Sequence, residues 1–459
     1  MRPTSLQQIA AWAGGSLIQG QPSATITTVS TDTRSLAPGD LFLAIKGEKF
    51  DGHDFIEKAA EQGVAAIFVN QLKLSTERFD GGIIHVRDTL VALRELALRY
   101  RRSRLDLFAV GVTGSNGKTS TKDFLTAVLS RVGNVNATAG NLNNHIGLPL
   151  TILRTGDEHD LGVWEMGMNH PGEIEVLAEI ASPDAAVITN IGTAHIEHMK
   201  TREAIALEKG MLAEAVGAEG FVVLPAADDF TPSIAARCRG KVITAGIGCG
   251  EIQAGQLRNE GNGMAFLLTA GGRSVEARIP VPGRHMVGNA LLAAAVGIER
   301  GLSLSDVADA LAGVRLSGSR LQRRQVNGID FLDDSYNANP DSMRAALRTL
   351  AELDAKGRKV AVLGRMGELG ELEAAEHRSL GEFSASTGID LLITVGEAGN
   401  GIADGAGGKV ETIRAADQTE AASRLSDWLR AGDLVLVKGS RSSAMEKVIE
   451  ALGGESAGH

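Results

Sequence analysis

The chain has 459 residues, with 46 Lys plus Arg against 56 Asp plus Glu, a formal net charge of -10 and 43% hydrophobic residues. At roughly 100 to 200 residues per domain, this length predicts about three domains, each burying its own core, and it excludes disorder as the dominant state. The acidic balance argues against a nucleic-acid partner, because neutralising a phosphate backbone needs clustered positive charge.

The first hundred residues read as a small α/β unit with DLFLAIKG and AAIFVN as strands. It ends in a dense basic stretch, Arg99, Arg101, Arg102 and Arg104, which we read as a helix end meeting a linker, since cations favour the C-terminal end of the helix dipole. The opening MRPTSLQQIAAWAGG lacks the apolar core of a secretory signal, and no later run approaches ~18 uninterrupted apolar residues, so no membrane insertion is expected. Two cysteines, Cys238 and Cys249, cannot make a disulfide framework; a reducing, cytoplasmic setting is the expectation.

From 107 to 112 the pattern becomes strict: an apolar run, a glycine loop, then a helix opening near Thr119. GVWEM at 162 to 166 and AAVITN at 185 to 190 read as two more buried parallel strands, whose C-terminal ends share one crevice. Lys118, Glu165 and the segment from Asn190 to His195 are thereby expected near one another. Antiparallel strands follow between about 263 and 281, then a helix over 287 to 300. A third unit begins near Leu316, with GIDFLDD, RKVAVLG, DLLITVG and DLVLVKG as strands between amphipathic helices. The expected fold is α/β with three domains, 1–105, 106–315 and 316–459, the central one built on a mainly parallel sheet.

Thr113, Gly114, Ser115, Asn116, Gly117, Lys118, Thr119 and Ser120 stand between strand and helix, the context a phosphate-binding loop requires. Glycines let backbone N–H groups approach phosphates, the helix N-terminus adds partial positive charge, Lys118 reaches the terminal phosphates and Thr119 can ligate Mg2+. The motif is shortened, with Val112 where the full pattern has Gly. A tight turn with a solvated lysine is the alternative. Glu165 ends an apolar strand, where a carboxylate is costly unless it meets a cation such as a nucleotide-bound Mg2+. His195 follows the next strand and reads equally well as ligand or structural histidine.

Taken together, VTGSNGKTS, GNLNNHIGLPLT, VWEMGMNHPGEI, NIGTAHIEHM, GRHMVGNALLAAA, LSGSRLQ, DDSYNANPDSM and LVKGSRSSAMEKV resemble the Mur ligase family over nearly the whole chain. KGEKFDGHDF, NLNNHIG and SYNANPDS resemble the branch that adds a dipeptide. The resemblance implies an N-terminal domain for a UDP moiety, a central ATPase and a Rossmann-like C-terminal domain that closes over ATP. It implies ATP-driven joining of D-alanyl-D-alanine to a UDP-N-acetylmuramoyl tripeptide through an acyl phosphate, in peptidoglycan precursor synthesis; a monomer is expected.

By the same resemblance, Lys118 and two Mg2+ ions neutralise the reacting anions, Thr119 and Glu165 hold the nucleotide metal and His195 the second. Lys209 matches a lysine that becomes an N6-carboxylated carbamate. Asn289 matches an adenine contact, Arg320 an arginine that closes onto phosphates and Asp334 a ribose-binding carboxylate. Tyr336, Asn337 and Asn339 face ATP and the dipeptide. Thr33, Arg34, Asp51, Gly52 and His53 match the uridine-nucleotide region, and Asn141, Asn143 and Asn144 a loop for the sugar diphosphate. Lys438, Ser440 and Arg441 are candidates for substrate carboxylates. Arg365, His145 and Glu208 depart from the usual pattern.

Overall fold

The computed structural model describes residues 1–47, 49–71 and 79–453; Glu48, within KGEKFDGHDF, lies outside them. Among the described residues the chain is α/β throughout, with three large sheets and a two-stranded one that pairs Thr4–Ser5 with Thr25–Ile26. The first combines Ser16–Gln19, Gly82–His85, Ala66–Val69, Leu41–Leu43 and Val29–Ser30 in that order, parallel except for the pairing of Ser16–Gln19 with Gly82–His85.

The helix Thr89–Ser103 leaves this unit and ends where the basic stretch lies. Within that stretch Arg99 and Arg102 are exposed. Arg101 and Arg104 are buried: Arg101 donates to the carbonyls of Ala181 and Ser182, and Arg104 to those of Thr155, Gly156 and His159. Planar guanidinium groups with several donors suit carbonyls that helix ends and turns leave unpaired.

In the central sheet the strands run Arg273–Ile279, Gly263–Ala270, Ile252–Glu260, Lys241–Ile247, Phe221–Pro225, Ala185–Ile188, Phe108–Thr113, Leu161–Glu165 and Val135–Ala137. The last seven are parallel, and the first two form an antiparallel extension. Near-continuous apolar strands buried on both faces explain the parallel part. Arg273–Ile279 alternates, with Ala277 and Ile279 buried and Glu276 and Arg278 exposed, as one-sided strands do. Trp164 is fully buried, its indole N–H on Asn136 Oδ1 at 2.9 Å. The helices Lys118–Leu129 and Arg284–Glu299 pack together over one face.

The strand Phe108–Thr113 separates Leu161–Glu165 from Ala185–Ile188. His195 is therefore two strands from Glu165, not beside it as the sequence suggested. The third sheet has the order Gln322–Val326, Ile329–Asp334, Leu434–Lys438, Lys359–Leu363, Leu391–Val395 and Glu411–Ala415, parallel but for its first pair. Its chain-terminal strand enters the middle, which puts Asp334 and Lys438 side by side at their carboxyl ends. The central and third sheets thus turn their carboxyl ends toward a shared space, the usual ligand location in open parallel sheets. Among the described residues no helix is long and apolar enough to cross a membrane.

Candidate functional site

That space is a cavity of about 1070 Å³. The loop between Phe108–Thr113 and Lys118–Leu129 forms its floor. Gly117 adopts φ 78°, and a Cβ there would fall 2.6 Å from Asn289 Oδ1, so the loop needs glycine both for its turn and for the approach of Asn289. Asn190 holds the loop: its carbonyl accepts from Ser115 N at 3.0 Å, and its side-chain oxygen from Asn116 N at 3.0 Å. Thr113 ties the strand end to Met166 O at 2.9 Å. Lys118 Nζ donates to Gly114 O at 2.9 Å, and burial in the cavity pushes its pKa down, with Glu165 opposing and Arg320 adding to the shift.

Glu165 is buried and takes the Thr119 hydroxyl on one oxygen at 2.7 Å and the Asn143 amide on the other at 2.8 Å. The Thr119 hydroxyl also accepts from Arg320 Nη2 at 3.0 Å. A carboxylate and a hydroxyl presented together next to a phosphate loop suit a hard, oxygen-seeking cation. Among the described residues no group of three or more His, Cys, Asp or Glu side chains is placed to hold a metal ion by itself.

His195, at φ 63°, precedes the short helix Ile196–Met199, and its Nδ1 lies 2.5 Å from Glu368 Oε2. The imidazole holds that carboxyl below its usual range. Glu368, on the loop after Lys359–Leu363, escaped the sequence reading; the Glu in LGRMGELG carries no local signal that its partner lies in another sheet. Asp341 was also missed, and its Oδ2 accepts from the N–H and hydroxyl of Thr193 at 3.0 and 3.2 Å. Arg365, which departs from the usual pattern, pairs with Glu373 through Nε at 2.6 Å.

Lys209 does not line the cavity. It sits fully buried on Arg202–Ala215, its Nζ without a hydrogen-bond partner among the described residues. Burial and the nearby Lys118 push its pKa well below 10.5, with Glu208 opposing. Glu208 itself accepts from the N–H groups of Gly172 and Ile174, both at 2.8 Å, and so satisfies the start of Glu173–Ala181. That capping role explains why a carboxylate stands beside Lys209 in this chain.

Ser115, Asn116, Ser120, Asn141, Asn143, Asn144, Asn289, Arg320, Asp334, Tyr336, Asn337, Asn339, Lys438 and Arg441 all line the cavity. Several have structural partners as well. Asn144 Oδ1 accepts from Ile146 N at 3.1 Å and Gly147 N at 2.9 Å, leading into the helix Gly147–Leu153. Asn339 caps Pro340–Glu352 and donates to Asn116 Oδ1 at 2.7 Å. Arg320 stacks over Tyr336, 4.1 Å from the ring centroid. Lys438 Nζ lies 2.6 Å from Asp334 Oδ2 and donates to Asn337 O at 2.9 Å, while burial raises the Asp334 pKa with Lys438 opposing.

The five N-terminal candidates lie elsewhere. None lines the cavity. Thr33 is buried, Arg34 folds back onto Asp32 at 2.7 Å, and Gly52 begins the turn Gly52–Phe55. Asp51 Oδ1 stands 2.6 Å from His53 Nδ1, and His53 Nε2 accepts from Asn70 N at 3.2 Å.

With this geometry in hand, comparison with known proteins is direct. Residues 25–101 match the Mur ligase family catalytic domain, 112–297 the Mur ligase middle domain and 319–441 the Mur ligase glutamate ligase domain. The chain is 38% identical to the UDP-N-acetylmuramoyl-tripeptide–D-alanyl-D-alanine ligase of Bacillus subtilis (strain 168), covering 98% of both chains. The crystal structure of MurF from Acinetobacter baumannii superposes with a TM-score of 0.90 at 32% identity, covering 98% of this chain and 99% of that one. MurF ligase from Thermotoga maritima, solved in complex with ADP, gives 0.81 at 28% identity, covering 93% and 96%. The chain belongs to the Mur ligase family. It has the three-domain α/β fold of that family and is an ATP-dependent ligase that forms a peptide bond.

Proposed function

We propose that this ligase joins D-alanyl-D-alanine to a UDP-N-acetylmuramoyl tripeptide, in the cytoplasm and as a monomer, releasing ADP and phosphate. The relatives above carry that activity in their names, over nearly the full length of the chain. The division of labour follows residues 1–105 for the UDP moiety, 106–315 for ATP and 316–459 for closure and the dipeptide. A carboxylate resists amines because its oxygen leaves poorly. In the first step an oxygen of the tripeptide's terminal carboxylate bonds to the γ-phosphorus, the bond to ADP breaks, and an acyl phosphate results. The dipeptide's free amine then attacks the acyl carbon, phosphate departs and the amine gives up a proton.

Two anions meet in the first step, so charge neutralisation dominates the barrier. Lys118, the N–H groups opening Lys118–Leu129 and Arg320 face the phosphates. Thr119 and Glu165 would hold Mg2+, which when bound would supply positive charge at the transferring phosphoryl group. His195 would hold a second Mg2+, with Glu368 orienting the imidazole. Asn289 meets adenine and Asp334 the ribose. The buried amine of Lys209, its pKa pushed down, would add to CO2 with loss of a proton, which turns a neutral side chain into a carbamate anion. The amides of Asn141, Asn143 and Asn144 meet the sugar diphosphate without the desolvation cost of further charges.

The observation that carries this reading is the juxtaposition of Lys118, the Thr119–Glu165 pair and Arg320 in one cavity walled by both sheets. Product analysis by mass spectrometry with the UDP-linked tripeptide, ATP, Mg2+ and the dipeptide tests it. The pentapeptide product is expected, with 18O passing from the labelled carboxylate into phosphate. Preference for a single amino acid, or phosphate without label, would refute it.

A further inference from the structure

The helix that follows the phosphate loop carries an acid that the reaction does not call for, Asp123. Asp123 sits one turn beyond Thr119 on Lys118–Leu129 and is 7% exposed. A carboxylate this close to a phosphate loop opposes the charge the loop is built to hold. Its neighbour Lys122 offsets that charge, Nζ to Oδ1 2.7 Å, with both side chains 7% exposed.

The other oxygen has one target. Oδ2 accepts both the backbone N–H of Ser317, at 2.7 Å, and its hydroxyl, at 2.8 Å, across 194 positions of sequence. Ser317 opens the turn that leads from the central sheet into the third. Within that turn Gly318 takes φ 69°, Ser317 O accepts from Arg320 Nη1 at 2.9 Å, and Arg320 Nη2 returns to Thr119 Oγ1 at 3.0 Å. The contacts close a ring: Thr119, one helical turn, Asp123, Ser317, Arg320 and Thr119 again. Tyr336 flanks the guanidinium on one face.

We infer that Asp123 is a positioning residue for Arg320: it anchors the interdomain turn so that the guanidinium is presented over Thr119, where the terminal phosphates of ATP arrive. The inference rests on the reading of Arg320 as the arginine that closes onto those phosphates. A charged acceptor taking two donors from one residue fixes that residue's orientation more tightly than a single neutral bond. Arg320 has long rotatable side-chain bonds, and fixing the backbone behind it removes part of the disorder that binding would otherwise have to remove.

A double-mutant cycle separates this role from plain stabilisation. Asp123→Ala, Arg320→Ala and the double variant are compared by calorimetric affinity for a non-hydrolysable ATP analogue with Mg2+, by kcat, and by thermal unfolding. Arg320→Ala is expected to lower kcat about 100-fold or more, and Asp123→Ala about 10-fold with a weaker analogue affinity. The double variant should be no worse than Arg320→Ala alone. Asp123→Asn, which keeps an acceptor, should recover most of the loss, and Ser317→Ala, which keeps the N–H, should show a smaller one. These two milder changes keep the test alive if Asp123→Ala fails to fold. Losses that multiply in the double variant, or Asp123 variants with unchanged affinity and kcat beside an impaired Arg320→Ala, would overturn the inference. A nearly normal Arg320→Ala would instead remove the reading of Arg320 on which it rests.

Discussion

Lys209 is the side chain whose chemistry the fold alters most. With no partner for Nζ and Lys118 close by, its amine loses the proton far more readily than an exposed lysine. The neutral amine is the form that adds to CO2. Between its depressed folded value and the ordinary 10.5, the unfolded chain binds a proton that the folded chain does not, so this residue makes stability rise with pH across that window. In CO2-free buffer, Lys209→Met is expected to flatten that rise and to stabilise the protein at pH 7, while turnover is lost. Urea unfolding over a pH series checks this; an unchanged slope would mean that the ammonium is accommodated. Lys209→Ala should regain part of its turnover with added short carboxylic acids, and no regain would count against the carbamate. Little of this was legible locally, because in Glu208-Lys209-Gly210 the lysine reads as a solvated helix residue and only the resemblance singled it out. The phosphate loop was legible because its parts are consecutive and the flanking strand and helix mark its ends. Asp123, Asp341 and Glu368 were not, since each meets its partner across a long stretch of chain and nothing in the neighbouring residues announces it.

At the level of elements, the end of Thr89–Ser103 shows how one residue type supports opposite readings. Four arginines in six positions suggest solvent, yet two of them serve as internal donors. Tyr100 joins them, donating its hydroxyl to Thr155 O. Arg104→Ala leaves the carbonyls of Thr155, Gly156 and His159 without this donor and opens a void where a 1% exposed side chain stood. Unpaired buried acceptors cost roughly 1 to 3 kcal/mol each before relaxation and water entry. We expect a net loss of about 3 kcal/mol in urea unfolding, and a raised KM for the UDP substrate because the N-terminal unit is held less firmly against the central one, by Tyr100 and Arg101 without Arg104. A loss under about 0.5 kcal/mol, the range of ordinary surface changes, would show that the network is dispensable. Strand positions were readable from apolar runs bounded by glycine. Strand order was not: the strand Leu434–Lys438 inserts between Ile329–Asp334 and Lys359–Leu363, a choice made by long-range packing.

For the whole molecule, function depends on how the third sheet seats against the central one. Asn339 on Asn116, Glu368 on His195, Arg320 on Thr119 and Asp341 on Thr193 are all contacts between these two bodies, and each touches the phosphate loop or a strand end next to it. Asp341 is the most separable of them, being exposed and outside the proposed chemistry. Its seat requires glycine at 192, where a Cβ would stand 2.3 Å from Asp341 Oδ2. Losing its bonds to Thr193 should cost the closed arrangement about 1 to 1.5 kcal/mol, close to tenfold in the balance of closed over open. Apparent affinity falls with the fraction of molecules in the competent state, so up to about tenfold weaker binding of ATP and the dipeptide is expected for Asp341→Ala. On the proposed division of labour the N-terminal unit holds the UDP substrate, which should bind as before, and thermal stability should change little because the contact is exposed. Thr193→Val keeps the backbone N–H and should give a smaller loss. Small-angle scattering is expected to show a larger radius of gyration for Asp341→Ala alongside the raised KM values; identical scattering with unchanged KM for both ligands would mean that closure does not depend on this contact.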